Sequence, residues 1–246
     1  RNSIVPPYSL LQIASKLRIE GQEVDVVDAN GSNLCWEEVN EKIKNMKYDV
    51  LIFRFTPTTL DWDTKIASLS KKNHPHALTV GICWTLRTIP MAVLQSSVDL
   101  DVYIMHEYET VTSTLISAVS RGDELSTVAG IAYRNGNGVK VNNPAIPLSD
   151  WDSLPLPAYD LLPSLKNYFV NTPNGSPFTI MYASKGCPYS CIYCTERNTK
   201  LKKRSTESIL NELRYLKEKF NIGTVSFFDE TFTIDRERIV TMAERI

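Results

Sequence analysis

The sequence predicts an α/β fold whose N-terminal region is a doubly wound parallel sheet. Between residues 8 and 122, short apolar strands alternate with amphipathic helices, a pattern typical of parallel sheets covered by helices. Hydrophobic residues make up 43% and charged residues 22% of the 246 residues, which are ordinary globular values. A chain of this length forms one large or two modest domains. In such sheets, ligands bind beyond the carboxyl ends of the strands.

The predicted elements begin with a helix. Apolar side chains recur at helical spacing from Tyr8 to Glu20, and Gly21 is suited to end this helix in the left-handed conformation. The alternation continues through strand 24–28, helix 37–46, strand 50–55, helix 62–72, strand 78–81, helix 88–96, strand 102–105 and helix 109–120.

A hairpin and a proline-rich segment follow this alternation. Residues 131–134 and 139–141 flank Asn-Gly pairs at 135–138, which accept positive φ and predict a hairpin turn. Prolines recur between Pro144 and Pro163, a composition that favours an extended linker. We therefore predict a first domain over residues 1–143, which ends in the hairpin, and a linker over residues 144–176.

Residues 177–246 predict a second domain. It begins with a strand at 178–183, followed by a cysteine-rich loop and by a helix that Ser205 or Thr206 caps. A strand at 224–228 and a helix from about Arg236 complete it. Two strand–helix units do not make a stable barrel, and the chain has no initiator Met. We therefore expect a fragment of a longer enzyme, or its ordered part.

Composition argues against two classes of partner. The formal net charge of −1 gives no overall field toward nucleic acid or anionic lipid. No apolar run approaches the roughly 20 residues that span a bilayer. The first residues lack the apolar core of a signal peptide. The sequence therefore predicts a soluble cytoplasmic protein without a nucleic-acid or membrane partner.

Cysteine spacing gives the strongest functional signal. Of five cysteines, Cys187, Cys191 and Cys194 form the pattern C-x-x-x-C-x-x-C, which makes a poor disulfide framework. A zinc site normally needs a fourth ligand, whereas three thiolates suit a 4Fe–4S cluster and leave one iron open. Zinc, a redox thiol pair and three incidental cysteines are the alternatives. Cys35 and Cys83 lie among apolar neighbours and are predicted to be buried hydrophobic residues.

These residues resemble a known superfamily. Residues 185–194, with Tyr193 before the third cysteine, are similar to the signature of radical S-adenosylmethionine enzymes. The similarity continues through residues 204–207 and 227–232. It extends backward through residues 154–163, which resemble a linker of members with an N-terminal cobalamin-binding-type domain. The resemblance implies a Rossmann-type cobalamin-binding domain followed by the start of a partial (βα)6 barrel.

The resemblance also implies cofactors and a reaction. The cluster's open iron chelates the amino and carboxylate groups of S-adenosylmethionine. One electron, delivered by a donor such as flavodoxin or ferredoxin, then splits the sulfonium into methionine and a 5′-deoxyadenosyl radical, which abstracts hydrogen. With cobalamin bound, a methyl group passes to the resulting substrate radical.

Four more site residues are implied by the resemblance. Tyr193 matches an aromatic residue near the adenine of S-adenosylmethionine. Asp229 and Glu230 end the second strand, where relatives usually carry Gly-Gly-Glu and bind the methionine ammonium. Arg204 faces the carboxylate of S-adenosylmethionine. The alternatives are a solvated acidic turn at 229–230 and, for Arg204, a solvated basic run.

Cobalamin binding is implied by residues of the first domain. Residues 6–10 resemble the opening loop of the subgroup, and residues 106–110 align with a loop that usually reads Gly-Glu-x-Glu-Thr. Ile82 and His106 stand where relatives carry glycine, and we expect them to narrow the cobalamin cleft. No Asp-x-His-x-x-Gly motif identifies a cobalt ligand. His106 is either a cofactor contact or a structural histidine.

The sequence thus predicts a cobalamin-dependent radical S-adenosylmethionine methyltransferase that acts on an unactivated carbon. A cyclase or oxidative enzyme without methyl transfer is one alternative. A catalytically incomplete cofactor-binding module is another. The substrate, a small molecule or a peptide, leaves no signal in this chain.

Overall fold

A computed structural model describes residues 3–136, 138–171 and 177–246. The helices, in chain order, are α1 (Tyr8–Ile19), α2 (Trp36–Asn45), α3 (Leu60–Asp63), α4 (Lys65–Asn73), α5 (Pro90–Gln95), α6 (Tyr108–Arg121), α7 (Thr206–Phe220) and α8 (Arg236–Arg245). The strands are β1 (Ser3–Ile4), β2 (Val50–Arg54), β3 (Leu78–Ile82), β4 (Val102–Ile104), β5 (Ile131–Asn135), β6 (Gly138–Val141), β7 (Phe169–Val170), β8 (Phe178–Met181), β9 (Ser184–Lys185), β10 (Lys202–Lys203) and β11 (Thr224–Phe227). Within these ranges, no helix is long and apolar enough to cross a membrane.

The chain forms two compact units. The split unit comprises Arg1–Asn33 with Ser149–Ile246, and the sheet unit comprises Leu34–Leu148. This division differs from the predicted one, which placed residues 1–143 in one domain. The difference arises because α1 packs into the split unit: Tyr8 and Leu11 lie in the same buried cluster as Tyr159.

The sheet unit has the predicted α/β class with a mixed sheet. Its strand order is β2-β3-β4-β5-β6. The first three strands are parallel, as expected for strands joined by helices. The predicted hairpin extends this sheet, because β5 pairs antiparallel with β4, and β6 pairs antiparallel with β5. Asn137 of the predicted turn lies outside the described residues.

Gly81 has a packing role in the sheet unit. The ring of Phe55 lies so close to β3 that a Cβ at Gly81 would stand 2.6 Å from Phe55 Cε1. Phe55 belongs to the buried cluster that also contains Tyr103 and Leu100. Gly81 is therefore needed here for close packing between the strand and an aromatic ring.

The strand predicted at residues 24–28 is absent, and this prediction is wrong. Residues 24–28 contain no strand. The Asp28 carboxylate instead accepts hydrogen bonds from the backbone N–H groups of Asn30 and Gly31, each at 3.0 Å. The Tyr168 hydroxyl donates to the same carboxylate at 2.7 Å. An Asp that bonds the following backbone favours a turn over a ladder strand.

Within its described residues, the split unit contains one parallel strand–helix–strand arrangement. β8 and β11 pair in parallel, with Phe178 opposite Thr224 and Met181 opposite Phe227, and α7 connects the sequence between them. Ser205 caps α7, because its hydroxyl accepts the Ser208 N–H at 3.1 Å. The predicted strands and helices of this region are confirmed.

Part of the predicted proline-rich linker contributes side chains to the split unit's core. Tyr159, Leu162, Leu165 and Tyr168 are buried in the same cluster as α1 and β8. Short 3₁₀ turns carry this segment from residue 151 to residue 167. Residues 172–176 of the predicted linker lie outside the described residues. The segment is compact because its apolar side chains, placed between the prolines, are buried together.

Candidate functional site

The cysteine loop, defined as residues 186–201, follows β8 and is closed by a short strand pair. β9 and β10 run antiparallel, with Ser184 opposite Lys203 and Lys185 opposite Lys202. We call these two strands the stem, because they hold both ends of the loop. The stem begins just beyond the carboxyl ends of the parallel strands β8 and β11, the edge at which α/β enzymes place ligands.

Gly186 starts the loop in a conformation that favours glycine. Its φ is +95°, in the left-handed half of backbone space. A Cβ at this position would also collide with the carbonyl oxygen of Lys200. The two ends of the loop therefore approach each other so closely at this point that a side chain is excluded.

Thr199 cross-links the loop to the first cysteine. The Cys187 N–H donates to Thr199 Oγ1 at 2.8 Å, and the Thr199 N–H donates to the Cys187 carbonyl at 2.9 Å. Further along the loop, the Asn198 N–H donates to the Tyr189 carbonyl at 2.9 Å. The backbone at Cys187 is thus fixed on both sides of the loop.

The three cysteines differ in exposure. Cys187 is buried, Cys194 is half-buried and Cys191 is exposed. The Glu196 N–H lies 3.4 Å from Cys194 Sγ, so one backbone donor already faces that sulfur. Among the described residues, no three His, Cys, Asp or Glu side chains are arranged to hold a metal ion. The loop therefore carries the three thiols without gathering them into a preformed cage.

The donor set of this loop nevertheless fits an iron–sulfur cluster. Thiolates are the ligands of such clusters, and three of them on one loop suit three of four irons. The other two cysteines, Cys35 and Cys83, belong to the sheet unit. Residues 188–193 are exposed, whereas the loop ends are pinned. This middle part can adjust around a cluster, as ligands commonly do when metal binding completes a site.

Asp229 and Glu230 contact the base of the loop. Asp229 Oδ1 accepts the Ala183 N–H at 2.8 Å, and Asp229 Oδ2 accepts the Ser184 hydroxyl at 2.5 Å. Glu230 Oε2 accepts the Gly186 N–H at 3.1 Å. Both carboxylates lie just after the end of β11, and they bond to donors of Ala183, of Ser184 in the stem and of Gly186 in the loop.

Partial desolvation changes the acidity of both carboxylates, of which Asp229 is half-buried and Glu230 is exposed. Desolvation raises the pKa of Asp229, and its hydrogen bonds to Ser184 and Ala183 oppose that rise. Desolvation also raises the pKa of Glu230, to which the nearby negative charge of Glu196 adds, whereas the Gly186 N–H opposes it. The end of β11 is thus a partly desolvated acidic position, which favours a cationic partner.

Arg204 is a buried structural residue in this structure. Its Nη1 donates to Glu212 Oε2 at 2.5 Å and to the Tyr182 carbonyl at 3.2 Å. Its Nε and Nη2 donate to Ser208. The Tyr159 hydroxyl donates to the other oxygen of Glu212 at 2.8 Å. These bonds occupy the guanidinium within the protein, so the structure gives no support to its predicted position facing a ligand carboxylate.

The remaining aromatic and cysteine predictions have mixed outcomes. Tyr193 is 88% exposed on the loop, next to the equally exposed Ile192. Cys83 is buried, as predicted. Cys35 is exposed, and the prediction that it is buried is wrong. It sits at the N-cap position of α2, where its N–H donates to the Glu38 carboxylate at 2.8 Å.

The sheet unit places the predicted cobalamin-region residues as follows. His106 is half-buried just before α6. Glu107 has a φ of +52°, and its carboxylate accepts the Leu148 N–H at 3.0 Å. Ile82 has no exposed surface, so it is a core residue and does not narrow a cleft as we expected.

Sequence reasoning missed three residues that organise the loop: Thr199, Ser184 and Arg238. The partners of these side chains lie 12, 45 and 55 positions away in the sequence. No local pattern marks them, because their roles depend on contacts that only the folded chain creates. The sequence showed only that Thr199 lies within the cysteine loop, that Ser184 lies next to it and that Arg238 lies on the last helix.

No protein-family model matches the chain. Curated relatives do match. The chain is 27% identical over 245 residues to an uncharacterized methyltransferase of Pyrococcus horikoshii, covering 98% of this chain and 52% of that protein. It is 26% identical over 252 residues to the anaerobic magnesium-protoporphyrin IX monomethyl ester cyclase of Rubrivivax gelatinosus, covering 98% and 44%. Hopanoid C-3 methylase of Methylococcus capsulatus is 25% identical over 232 residues, covering 90% and 42%. The chain spans about half the length of these relatives.

Solved structures share the fold. The radical S-adenosylmethionine methyltransferase TsrM from Kitasatospora setae was solved with its tryptophan substrate and an analogue of S-adenosylmethionine. It has a TM-score of 0.79 at 17% identity, covering 100% of this chain and 49% of TsrM. The cobalamin-dependent S-adenosylmethionine radical enzyme OxsB, solved with aqua-cobalamin and S-adenosylmethionine, has a TM-score of 0.79 at 19% identity, covering 98% and 34%. At the level of the fold, the predicted resemblance to cobalamin-binding radical S-adenosylmethionine enzymes is therefore confirmed, and the curated relatives include methyltransferases and a cyclase.

Proposed function

We propose that the protein is a radical S-adenosylmethionine methyltransferase in which Cys187, Cys191 and Cys194 bind a 4Fe–4S cluster. One observation carries the proposal: the three thiols share a loop whose ends are pinned at the carboxyl edge of parallel strands. When bound and reduced, the cluster supplies one electron to the sulfonium of S-adenosylmethionine, which yields methionine and the 5′-deoxyadenosyl radical. A flavodoxin or ferredoxin is the proposed electron donor.

The chain's own residues have distinct proposed roles toward S-adenosylmethionine. Glu230, partly desolvated at the end of β11, attracts the ammonium group. Tyr193 is exposed on the loop and offers an aromatic face for the adenine. Both carboxylate oxygens of Asp229 are engaged by the protein, so ligand contact is assigned to Glu230.

Cobalamin is the proposed carrier of the methyl group. Support comes from the α/β class of the sheet unit and from TsrM and OxsB, each solved with a bound cobalamin. The names of two curated relatives, a methyltransferase and a hopanoid methylase, agree with methyl transfer. The proposed acceptor is an unactivated carbon of a small molecule or peptide, and the proposed compartment is the cytoplasm.

Anaerobic reconstitution with iron and sulfide tests the cluster. The wild-type chain is expected to bind about four irons and, after one-electron reduction with dithionite, to show an electron paramagnetic resonance signal that changes when S-adenosylmethionine is added. Cys187→Ala, Cys191→Ala and Cys194→Ala are each expected to lower the iron content. Cys35→Ala, which changes an exposed cysteine of the sheet unit, is the matched control and keeps the wild-type content. If all three loop variants bind as much iron as the control, the proposal is wrong.

A cyclase without methyl transfer is the second candidate, because three relatives are named magnesium-protoporphyrin IX monomethyl ester cyclases. An absorption titration with hydroxocobalamin, followed by mass analysis of the product, separates the two. Cobalamin binding with one methyl group added supports the methyltransferase. A product that gains no methyl group supports the cyclase. Reconstituted protein that forms no 5′-deoxyadenosine from S-adenosylmethionine under reduction indicates a cofactor-binding module.

A further inference from the structure

Two side chains of opposite charge bond to the backbone of one residue, Ala183, which lies just before the stem. The Ala183 N–H donates to Asp229 Oδ1 at 2.8 Å. The Ala183 carbonyl accepts Arg238 Nη1 at 2.8 Å, and it also accepts the backbone N–H of Arg204 at 2.9 Å. A carboxylate and a guanidinium thus fix the same short piece of backbone. Charge-assisted bonds of this kind are stronger than neutral ones.

These bonds reach both stem strands. Asp229 also accepts a hydrogen bond from the hydroxyl of Ser184, which is the first residue of β9. On the other strand, Lys203 Nζ donates to Asp235 Oδ2 at 2.6 Å, and Asp235 caps the helix that carries Arg238. The start of α8 is therefore bonded to Lys203 of β10 and to Ala183, the residue just before β9. Because the stem holds the ends of the cysteine loop, α8 helps to set where the loop begins.

Arg238 is held in a way that stability alone does not favour. Its Nε and Nη2 atoms are shielded from solvent and have no hydrogen-bond partner among the described residues. Shielded donors without partners cost free energy. Burial raises the pKa of Asp229; its hydrogen bonds to Ser184 and Ala183 oppose this rise, and the positive charge of Arg238 opposes it as well. Two charged side chains of opposite sign are thus bonded to the N–H and to the carbonyl of the same residue, Ala183.

We propose that Asp229 and Arg238 are positioning residues that clamp Ala183 and thereby orient the cysteine loop for its metal cluster. The assignment of this role rests on the proposed function, because only a cluster-binding loop would need to be oriented in this way. The hydrogen bonds of the clamp are themselves present in the metal-free chain. It also reassigns Asp229 from contact with S-adenosylmethionine to support of the loop. Glu230 keeps the contact with the ligand.

Hydrogen exchange of the metal-free 246-residue chain tests the clamp directly. Arg238→Met is expected to speed exchange in peptides that cover residues 183–187 by about tenfold, while α7 stays protected. Arg238→Lys keeps the charge and a donor and is expected to stay close to wild type. Arg236→Met, an exposed arginine two positions earlier on α8, is the matched control. After reconstitution and reduction with dithionite, Arg238→Met is expected to change the electron paramagnetic resonance signal more than Arg236→Met does.

The outcomes are decisive in each case. If Arg238→Met exchanges at residues 183–187 no faster than the Arg236→Met control, the clamp is refuted. If Arg238→Met also unfolds α7, Asp229→Asn takes its place: faster exchange at the stem with α7 protected supports the clamp, and unchanged exchange refutes it. Wild-type chain that binds no iron contradicts the proposed function but leaves the exchange result on the clamp standing.

Discussion

Gly186 combines two constraints that leave room only for glycine. Its φ of +95° is one that residues with a Cβ rarely adopt. The carbonyl of Lys200, from the far end of the loop, occupies the space that a Cβ would need. Backbone strain and steric collision would each lower the free energy of unfolding of a substituted protein. A second glycine that has a similar φ but no close neighbour distinguishes the two contributions. Gly21 has a φ of +86° but nothing within 4 Å of the position of a Cβ.

We expect Gly21→Ala to lower the free energy of unfolding of the split unit by about 1 kcal/mol, from backbone strain alone. Gly186→Ala is expected to lower it by roughly 2–3 kcal/mol more, because the collision adds an overpacking cost. Urea denaturation of both variants measures the difference. Equal losses at the two positions would show that the close approach to Lys200 has no energetic weight.

Single residues also show what spacing can and cannot predict. The cysteine spacing predicted a single loop, because ligands so near in sequence must be near in space. The environment of Arg204 was not predictable, since the sequence shows only a basic run at 200–204. Its partner Glu212 becomes adjacent only when α7 forms and the chain buries both charges, which are 7% and 0% exposed. A charge that looks solvated in sequence is then part of the core.

Helix α8 begins with a cap that is also an ion pair. Asp235 Oδ1 accepts the Arg238 N–H at 3.1 Å, and Asp235 Oδ2 accepts Lys203 Nζ. The bond from Lys203 and the bond from the Arg238 N–H both lower the pKa of Asp235. A lowered pKa in the folded state means that the charged carboxylate contributes stability. This contribution is present above the ordinary pKa of Asp and is lost as pH falls through the lowered value.

Asp235→Asn keeps a side chain that can cap α8 but removes its charge, so the variant tests the contribution of that charge alone. We expect the variant to be less stable than wild type at neutral pH, with the difference shrinking as the pH falls through the range of carboxylate titration. Urea denaturation at neutral and acidic pH measures it. In a Lys203→Met background the effect of Asp235→Asn should be smaller. A difference that grows on acidification would contradict the assigned sign.

Elements with local signals were predicted well. Helices α1, α7 and α8 were placed within about a residue at their starts, because apolar spacing and capping residues lie inside each helix. The segment at 24–28 has strand composition but forms no ladder, because a strand needs a partner and Asp28 bonds to its own turn. Proline content likewise suggested an extended linker, whereas the buried tyrosines Tyr159 and Tyr168 decide its packing.

At the scale of the whole molecule, the split unit is assembled from both ends of the chain. Leu11 of α1 is fully buried in its core, beside side chains from the segment after Ser149. Leu115 of α6 is equally buried in the sheet unit. The sequence alone did not predict this division, because α1 and the α/β alternation that follows it are contiguous. Only the partners of Tyr8 and Leu11 assign α1 to the other unit.

Two cavity-forming substitutions test the division. Leu11→Ala is expected to cost about 2–5 kcal/mol and to speed hydrogen exchange in residues 149–246, including the stem. Leu115→Ala should cost a similar amount but speed exchange within residues 34–148. Exchange mapped by peptide mass spectrometry reads out both units in one experiment. If Leu11→Ala loosens residues 34–148 instead, α1 belongs to the sheet unit and the division is wrong.

The two-ended assembly of the split unit also orders events during protein synthesis. A ribosome completes residues 34–148 before it makes the segment that covers α1, so the mixed sheet is free to fold first. Until Tyr159 and β8 emerge, the apolar face of α1 that carries Tyr8 and Leu11 lacks the side chains that cover it in the folded unit. The nascent chain therefore exposes this apolar helix face until residues 159–181 have been made, and the cysteine loop can take its place only after them.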